Sequence, residues 1–324
     1  MTAMPMLEIK DLKKHYSVRK GIFRQSEETA KALDGVSLTI GKGETFAVVG
    51  ESGCGKTTLG KTLLRLIEPT AGSIRFEGTD ITQLNAEEMR RLKTDMQIVF
   101  QDPYGSLDPK WTIRKTLEEP LRTHLRLSGD AIRAKVDEML QVVGLTPHHG
   151  DRYPHELSGG QRQRIGIARA LILEPKFVVF DEPVSALDVS IQAQILNLMQ
   201  DLQNRLALTY LFVSHDLSVV RFISDRIGVM YLGRMVEVGP TDEVFSHPLH
   251  PYTQALISAI PEPDPAKRRE RIVLAGDVPG PRNQPPGCAF HTRCPMAMPE
   301  CRSIRPELQT VSGNHATACH LYKD

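Results

Sequence analysis

The chain has 324 residues, 40% of them hydrophobic, which is enough for one large or two moderate globular domains. Its 40 Lys and Arg residues nearly balance 39 Asp and Glu residues, so the net charge of +1 gives no reason to expect nucleic acid as a partner. The N-terminus lacks a signal-peptide core, and no window approaches the roughly 18 to 20 apolar residues that cross a bilayer. We therefore expect a cytoplasmic chain that docks to membrane subunits and does not insert.

Short apolar runs near the start of the chain predict a β-rich edge. Residues 7–9, 36–40 and 45–49 are predicted strands, and the Gly-Lys-Gly turn at 41–43 joins the last two. The same pattern predicts two further short strands, at 73–76 and 96–100. We expect a β-rich edge before the loop that follows residue 49, and an antiparallel β subdomain beside a parallel-sheet core.

That loop, at residues 50–58, has the sequence Gly-Glu-Ser-Gly-Cys-Gly-Lys-Thr-Thr and satisfies the phosphate-loop pattern G-x-x-x-x-G-K-[ST]. It lies between a predicted strand and a helix-like segment at 57–66, which is the context that the motif requires. Glycines let backbone N–H groups face phosphate oxygens, Lys56 can reach the outer phosphates, and Thr57 offers a hydroxyl to Mg²⁺. The predicted ATP contacts are Gly50, Ser52, Gly53, Gly55, Lys56, Thr57 and Thr58.

Helices and strands alternate through the rest of the first 260 residues. From 112 to 172 the apolar residues recur at spacings of three and four, which predicts a helical subdomain inserted into a sheet domain. Continuous apolar runs predict buried parallel strands, at 177–180, 210–213 and 227–231. Strands that alternate with amphipathic helices predict an α/β fold with a doubly wound parallel sheet.

Polar residues at strand ends complete a candidate ATPase site. Asp181 and Glu182 end a buried strand, where carboxylates have no packing role; we expect Asp181 to hold Mg²⁺ and Glu182 to polarise the attacking water. Gln101 follows the strand at 96–100 and can contact the metal and its water. His215 follows another strand end, where it can contact the γ-phosphate. The catalytic candidates are therefore Glu182, His215 and Gln101, with Thr57, Gln101 and Asp181 at Mg²⁺.

A second anion site is predicted at the Leu-Ser-Gly-Gly-Gln run, residues 157–161. Ser158 has the position of a helix N-cap, and Gly159 and Gly160 leave backbone N–H groups open at the helix start. A self-contained ATPase does not need a second site of this kind. The run therefore favours a machine in which two ATPase chains pair.

Taken in order, these motifs resemble those of the ATPases of ABC transporters, over residues 7 to about 258. The resemblance implies a P-loop fold of the ABC type and a head-to-tail dimer in which ATP lies between the phosphate loop of one chain and the 157–161 run of the other. By this resemblance, the residues that contact the partner's ATP are Ser158, Gly159, Gly160, Gln161 and Asp188. Tyr16 matches the aromatic residue that stacks on adenine, although an aromatic residue after a short strand is equally often part of a core.

Four further segments resemble the ATP-binding subunits of bacterial dipeptide and oligopeptide importers, at 11–16, 19–23, 103–107 and 250–253. The resemblance implies an ATPase that powers peptide import from the cytoplasmic face of the inner membrane. Its implied partners are a second, different ATPase subunit, two permease subunits and an external peptide-binding protein. Similar subunits serve nickel, glutathione and muropeptide importers, and a soluble ABC ATPase is the other alternative. Residues 104–107 resemble the groove that docks on the permease.

Prolines at 261–265 predict a boundary between an ATPase domain at 6–260, with its helical subdomain at about 102–172, and an irregular extension at 261–324. The extension contains Cys288, Cys294, Cys301 and Cys319. Disulfides are not expected in a reducing cytosol. The four cysteines can therefore bind a [4Fe–4S] cluster, bind Zn²⁺ or hold no metal. The resemblance to dipeptide-importer ATPases implies the cluster.

Overall fold

The computed structural model describes residues 4–19, 27–102, 104–261 and 271–323. Most of the insertion at 19–23, Pro103 and most of the linker at 261–265 lie outside these ranges. The chain forms two compact units. The phosphate-loop unit contains Thr45–Thr82 and the described parts of Met1–Ile40 and Ser214–Asp324, and the helical unit contains Gly41–Glu44 and Gln83–Val213.

An antiparallel sheet forms one layer of the phosphate-loop unit. In it β1 (Leu7–Arg19) lies between β2 (Glu27–Ile40) and β4 (Ala71–Phe76), and β4 pairs with β5 (Thr79–Asp80). The antiparallel subdomain is thus confirmed, but β1 and β2 are longer than the predicted runs at 7–9 and 36–40. Past Leu12, the last buried residue among those of β1 whose side chains the structure describes, the two strands continue as a largely polar ladder that apolar runs cannot reveal.

A second set of strands in the same unit carries the phosphate loop. Here β3 (Thr45–Val49) runs parallel to β9 (Arg226–Tyr231), and β9 pairs with antiparallel β10 (Arg234–Pro240). All five residues of β3 are buried, as expected for a strand covered on both faces. The helices of this unit are α1 (Lys56–Leu63), α7 (Leu217–Ile223), α8 (Thr241–Ser246) and α9 (Pro251–Ser258).

Helix α1 ends three residues earlier than the predicted segment at 57–66. Arg65 has a positive φ of 47°, a conformation that a right-handed helix cannot contain. Its guanidinium donates to the Ile81 carbonyl at 2.8 Å, which holds the chain in this turn. A local backbone change therefore stops the helix before Pro69 is reached.

The described part of the helical unit contains three parallel strands, five α-helices and two short 3₁₀ helices, at Pro147–Asp151 and Pro154–Glu156. The strand order is β8 (Thr209–Val213), β7 (Phe177–Asp181), β6 (Met96–Val99). The helices are α2 (Ala86–Leu92), α3 (Ile113–His124), α4 (Gly129–Val142), α5 (Gly159–Leu171) and α6 (Val189–Leu206). The predicted helical pattern at 112–172 is confirmed by α3, α4 and α5. None of the helices in the described part of the whole chain is long and apolar enough to cross a membrane.

The C-terminal extension differs from the irregular segment that the sequence predicts. Strands β11 (Gln309–Ser312) and β12 (His315–Thr317) form a hairpin, and β12 pairs with β10 in an antiparallel ladder. Phe290 is 1% exposed and packs on the rings of Tyr231 and Tyr252, with each pair of centroids 5.3 Å apart. The extension therefore shares a sheet and an aromatic core with the phosphate-loop unit.

Candidate nucleotide-binding site

The phosphate loop follows β3 in a conformation that requires glycine at two positions. Gly50 has φ +151° and Gly55 has φ +109°. A Cβ atom would lie 2.2 Å from the Met230 carbonyl oxygen at Gly50, and 2.2 Å from the Ala32 carbonyl oxygen at Gly55. Any side chain at these positions would displace the backbone of a neighbouring segment. The two glycines of the motif are thus explained by close packing as well as by access to phosphate.

Lys56 is the first residue of α1 and is only 5% exposed. Its Nζ atom donates to the carbonyl oxygens of Gly50, at 2.7 Å, and Glu51, at 3.1 Å. Gly55 precedes the helix as N-cap and offers no side chain to cap it, so backbone N–H groups at the helix start stay available to an anion. The loop, the ammonium group and the helix dipole together form a site for phosphate.

Glu51 is held by two residues that the ATPase motifs do not include. The Tyr252 hydroxyl accepts a hydrogen bond from the Glu51 N–H at 2.8 Å. The Arg293 guanidinium donates to both carboxylate oxygens of Glu51, at 2.7 and 3.1 Å. Arg293 is 242 residues away along the chain, so no local pattern in the sequence reveals this contact.

Two other predicted ATP contacts belong to the phosphate-loop unit. Tyr16 on β1 is 38% exposed, so it is not a core residue, and the Lys14 Nζ atom lies 5.0 Å from its ring centroid. His215 is exposed directly after Ser214, whose N–H donates to the Val48 carbonyl of β3 at 3.1 Å. This bond ties the His215 segment to the strand that leads into the phosphate loop.

The predicted carboxylates belong to the helical unit. Asp181 is the last residue of β7 and is 4% exposed, so an ionised carboxylate there needs a cation or donors around it. Glu182 follows with a positive φ of 48°, and its N–H donates to the Val213 carbonyl at 2.9 Å. Strained non-glycine backbone of this kind costs about 1 kcal/mol or more and clusters at functional sites.

Gln101 and Glu182 are brought together across 81 positions of sequence. The Gln101 Nε2 atom donates to the Glu182 Oε2 atom at 3.1 Å. Carboxylate and amide oxygens are acceptors of the kind that bind water or a metal ion. The sequence predicts Gln101 at the metal and its water and Glu182 at the attacking water, and the structure brings their side chains into contact.

The 157–161 run begins α5, as the sequence predicts. The Ser158 Oγ atom accepts from the Gln161 N–H at 3.3 Å, and the Gln161 Oε1 atom accepts from the Ser158 N–H at 3.0 Å. This reciprocal capping box fixes the helix start. Leu157 is buried, whereas Ser158 and Gly159 are exposed. Asp188, also exposed, is the N-cap residue of α6.

The predicted permease-docking surface, at 104–107, is a turn that a hydrogen bond fixes to α5. The Arg169 guanidinium donates to the Ser106 carbonyl oxygen at 2.9 Å, while Leu107 is buried and Tyr104 is 51% exposed. A cavity of about 220 Å³ adjoins this turn between β6, α3 and α5. Gln163 lines it, fully buried and with neither amide atom hydrogen-bonded.

The four extension cysteines are free thiols in the phosphate-loop unit. Within the described ranges, no three His, Cys, Asp or Glu side chains form a group that can hold a metal ion, so the predicted metal ligands are not assembled. Burial, helped by charge repulsion from the other three thiols, raises the pKa of Cys319 to about 11. Protonated thiols have no electrostatic reason to converge on one point, because the thiolate is the metal ligand.

Comparisons with known proteins match two parts of the chain. A family model described as ABC transporter matches residues 33–185, and one described as oligopeptide/dipeptide transporter, C-terminal region, matches residues 236–301. The oligopeptide transport ATP-binding protein AppF of Bacillus subtilis is 54% identical over 98% of this chain and 97% of its own length. The corresponding protein OppF of Salmonella typhimurium is 52% identical over 97% of this chain and 95% of its own.

Solved structures agree with the sequence relatives. The cassette MJ0796, a dimer in a post-hydrolysis state bound to ADP and Pi, is 31% identical with a TM-score of 0.65, over 73% of this chain and 99% of that one. CbiO1 of Clostridium perfringens, part of an ABC transporter complex, is 30% identical to this chain with a TM-score of 0.67. The match covers 76% of this chain and 92% of CbiO1.

This chain therefore belongs to the ATP-binding proteins of ABC transporters, and it is an ATPase with the P-loop fold of that family. Its C-terminal region matches the oligopeptide and dipeptide transporter group in particular. The resemblance predicted from the motifs is confirmed.

Proposed function

We propose that this chain is the ATP-hydrolysing subunit that powers import of dipeptides or oligopeptides through a membrane permease. The observation that carries the proposal is similarity over almost the whole length, extension included, to AppF and OppF, which are named oligopeptide transport ATP-binding proteins. A soluble ABC ATPase needs no region of the oligopeptide/dipeptide transporter type, which this chain has at 236–301.

In the proposed reaction, the phosphate loop and Lys56 bind the β- and γ-phosphates of ATP. The candidate Mg²⁺ ligands Thr57, Gln101 and Asp181 offer a hydroxyl, an amide and a carboxylate oxygen, a donor set that suits this hard cation. Magnesium supplies neutralisation of the phosphate charge when bound. Phosphoryl transfer to water depends on such positioning and charge neutralisation, because the protein contributes little covalent chemistry.

Glu182 polarises the attacking water, and Gln101 holds the carboxylate through their 3.1 Å hydrogen bond. His215 contacts the γ-phosphate, and Tyr16, whose ring is exposed, stacks on adenine. The site is completed by a second ATPase subunit. This chain in turn offers Ser158, Gly159, Gly160, Gln161 and Asp188 to the partner's ATP.

The remaining assembly consists of two permease subunits and an external peptide-binding protein, with this chain at the cytoplasmic face of the inner membrane. The turn at 104–107 and the adjoining cavity support a docking site for the permease, because the turn lies a few residues after Gln101 in the chain. A shift of Gln101 upon hydrolysis moves a segment that contacts the membrane subunits.

For the extension, proposed as a separate segment from residue 261, we propose one [4Fe–4S] cluster on Cys288, Cys294, Cys301 and Cys319, with Zn²⁺ as the alternative. The chemistry of the donor set supports it, because four free thiols lie within residues 288–319 and cysteine thiolates are the ligands of such clusters. The cluster has a structural and not a catalytic role, because thiolate ligation contributes directly to the folding of a segment with a small core.

Uptake by a deletion strain tests the main proposal. Cells that express the wild-type chain are expected to take up labelled dipeptides and oligopeptides, and cells that express Glu182→Gln are expected not to. Nickel, glutathione and muropeptides are measured in parallel, and uptake of one of these in place of peptides would reassign the solute. A chain that purifies without membrane subunits and supports no uptake would contradict the transport function.

Anaerobic purification followed by metal analysis and visible absorption tests the cluster. We expect about four iron atoms per chain with a brown chromophore. Bound zinc without the brown chromophore would show that the four cysteines hold Zn²⁺ and not a cluster. Absence of both iron and zinc would show that they form no metal site.

A further inference from the structure

The second residue of the phosphate loop, Glu51, is fixed at three separate points. Its N–H donates to the Tyr252 hydroxyl, its carbonyl oxygen accepts from the Lys56 Nζ atom and from the Cys54 N–H, and its carboxylate accepts two hydrogen bonds from Arg293. The general loop pattern leaves this position variable. The motif therefore does not demand these contacts.

Arg293 is well placed to hold a carboxylate. Its side chain is 8% exposed and that of Glu51 is 28% exposed, so solvent screens the pair less than it screens a surface ion pair. The two parallel N–H to oxygen bonds form the bidentate arrangement that only arginine provides. An arginine guanidinium stays charged in proteins, so the contact with the Glu51 carboxylate is an ion pair.

Both holding residues are attached to one aromatic cluster. The Arg293 N–H donates to the Phe290 carbonyl at 3.0 Å, and Phe290 packs on Tyr252. Tyr252 and Phe290 are at most 1% exposed. The extension thus reaches the phosphate loop through a rigid support.

We propose that Arg293 is a positioning residue for the ATP site: through its ion pair with Glu51, the C-terminal extension holds the phosphate loop in the shape that binds nucleotide. The inference rests on the ATPase function of this loop. A loop held in its binding conformation loses less conformational entropy when phosphate binds, and this difference enters the affinity for ATP directly. Once ATP is bound, the phosphates hold the loop, so the rate of the chemical step should change little.

The test compares Arg293→Ala, Arg293→Lys and Glu51→Gln in the full chain, by calorimetric titration with Mg-ATP and by ATPase kinetics of the assembled transporter. We expect Arg293→Ala to raise the Kd and KM for ATP roughly tenfold, the size of one lost charged hydrogen bond, with kcat within about twofold. Arg293→Lys should recover part of the loss because it keeps the charge but not the bidentate geometry. Glu51→Gln should show a similar rise in KM.

A matched control comes from the same extension. Arg305 donates to the Asp34 carboxylate at 3.3 Å and so also holds the extension, but it does not contact the phosphate loop. Arg305→Ala is expected to lower the unfolding temperature and leave the KM for ATP unchanged. A double substitution of Glu51 and Arg293 by alanine should raise KM no more than the Arg293 substitution alone, because the two residues act as a pair.

An unchanged KM in Arg293→Ala, or an equal rise in Arg305→Ala, would overturn the inference while leaving the ATPase function intact. Failure of the wild-type chain to bind Mg-ATP would instead overturn the function itself and the inference with it.

Discussion

At the scale of single residues, the strongest departure from ordinary backbone in the candidate site is Glu182. The positive φ of Glu182 and the hydrogen bond from Gln101 fix the orientation of its carboxylate. Core packing alone does not require a carboxylate at this position. We expect Glu182→Gln to bind ATP normally and to lower the rate of hydrolysis on the order of a hundredfold or more, because an amide cannot accept a proton from water. Phosphate release by the assembled transporter and retention of ATP by the closed dimer measure the effect.

Glu174 provides the control for Glu182. It also has a positive φ, at 57°, but its carboxylate pairs with Lys135 and it belongs to no ATPase motif. Glu174→Gln is expected to hydrolyse ATP at the wild-type rate. Near-normal hydrolysis in Glu182→Gln would remove Glu182 from the catalytic role.

Lys56 has a different role, since its Nζ atom already lies at the phosphate loop and bonds to two of its carbonyls. Lys56→Ala is expected to abolish productive ATP binding, with a loss on the order of a hundredfold in affinity, because no other group replaces the buried ammonium. Titration with Mg-ATP checks this expectation. Tight binding with lost turnover would assign Lys56 to the chemical step and not to binding.

At the scale of elements, the turn at 104–107 should couple ATP hydrolysis to transport. We expect Ser106→Arg to lower peptide uptake about tenfold or more while ATP still binds, since a bulky charge blocks docking without reaching the nucleotide. Gly129→Arg is the control, because Gly129 is exposed at the start of α4 with open space around it. Normal uptake by an assembled Ser106→Arg transporter would show that the docking surface lies elsewhere.

Helix α9 carries a pH-dependent cap. The His250 Nδ1 atom accepts from the Tyr252 N–H at 3.1 Å, which only an unprotonated nitrogen can do. Complete burial lowers the pKa of His250 from 6.5 to about 4, although the charge of Glu237 opposes the shift. The unfolded chain therefore binds a proton that the folded chain does not, and stability should fall as the pH drops from 6.5 to about 4, by roughly 3 kcal/mol at most.

Urea unfolding at several pH values measures this loss. His250→Asn keeps a side-chain acceptor at the N-cap and removes the titrating group, so its stability should vary less with pH over the same interval. Equal pH dependence in the wild type and His250→Asn would assign the loss to other groups.

Sequence patterns predicted those elements whose signal is local. The buried parallel strands β3 and β7 are continuous apolar runs, and the Ser158 cap follows from residue types three positions apart. The polar ends of β1 and β2 and the hairpin β11–β12 were missed because their pairing partners, and not their own hydrophobicity, determine them. Arg293 was missed for the same reason, since its partner Glu51 is distant in the chain.

At the scale of the whole molecule, the extension is joined to the phosphate-loop unit by buried charge as well as by apolar contact. Glu237 on β10 is fully buried, and its carboxylate accepts from the Leu249 and His250 N–H groups, each at 2.8 Å. It also bonds to the His315 Nε2 atom of β12 at 2.7 Å. One carboxylate thus connects β10, the start of α9 and the terminal hairpin.

Replacement of this carboxylate should separate folding of the extension from ATP chemistry. In Glu237→Gln an amide NH₂ group must face an N–H donor, so at least one buried donor loses its acceptor, and we expect a loss of about 3 kcal/mol in the free energy of unfolding. Urea unfolding of the full chain measures it, with Glu243→Gln, an exposed glutamate on α8, as a control expected to change stability by less than about 0.5 kcal/mol. Equal stability of the two variants would show that apolar packing around Phe290 holds the extension without Glu237.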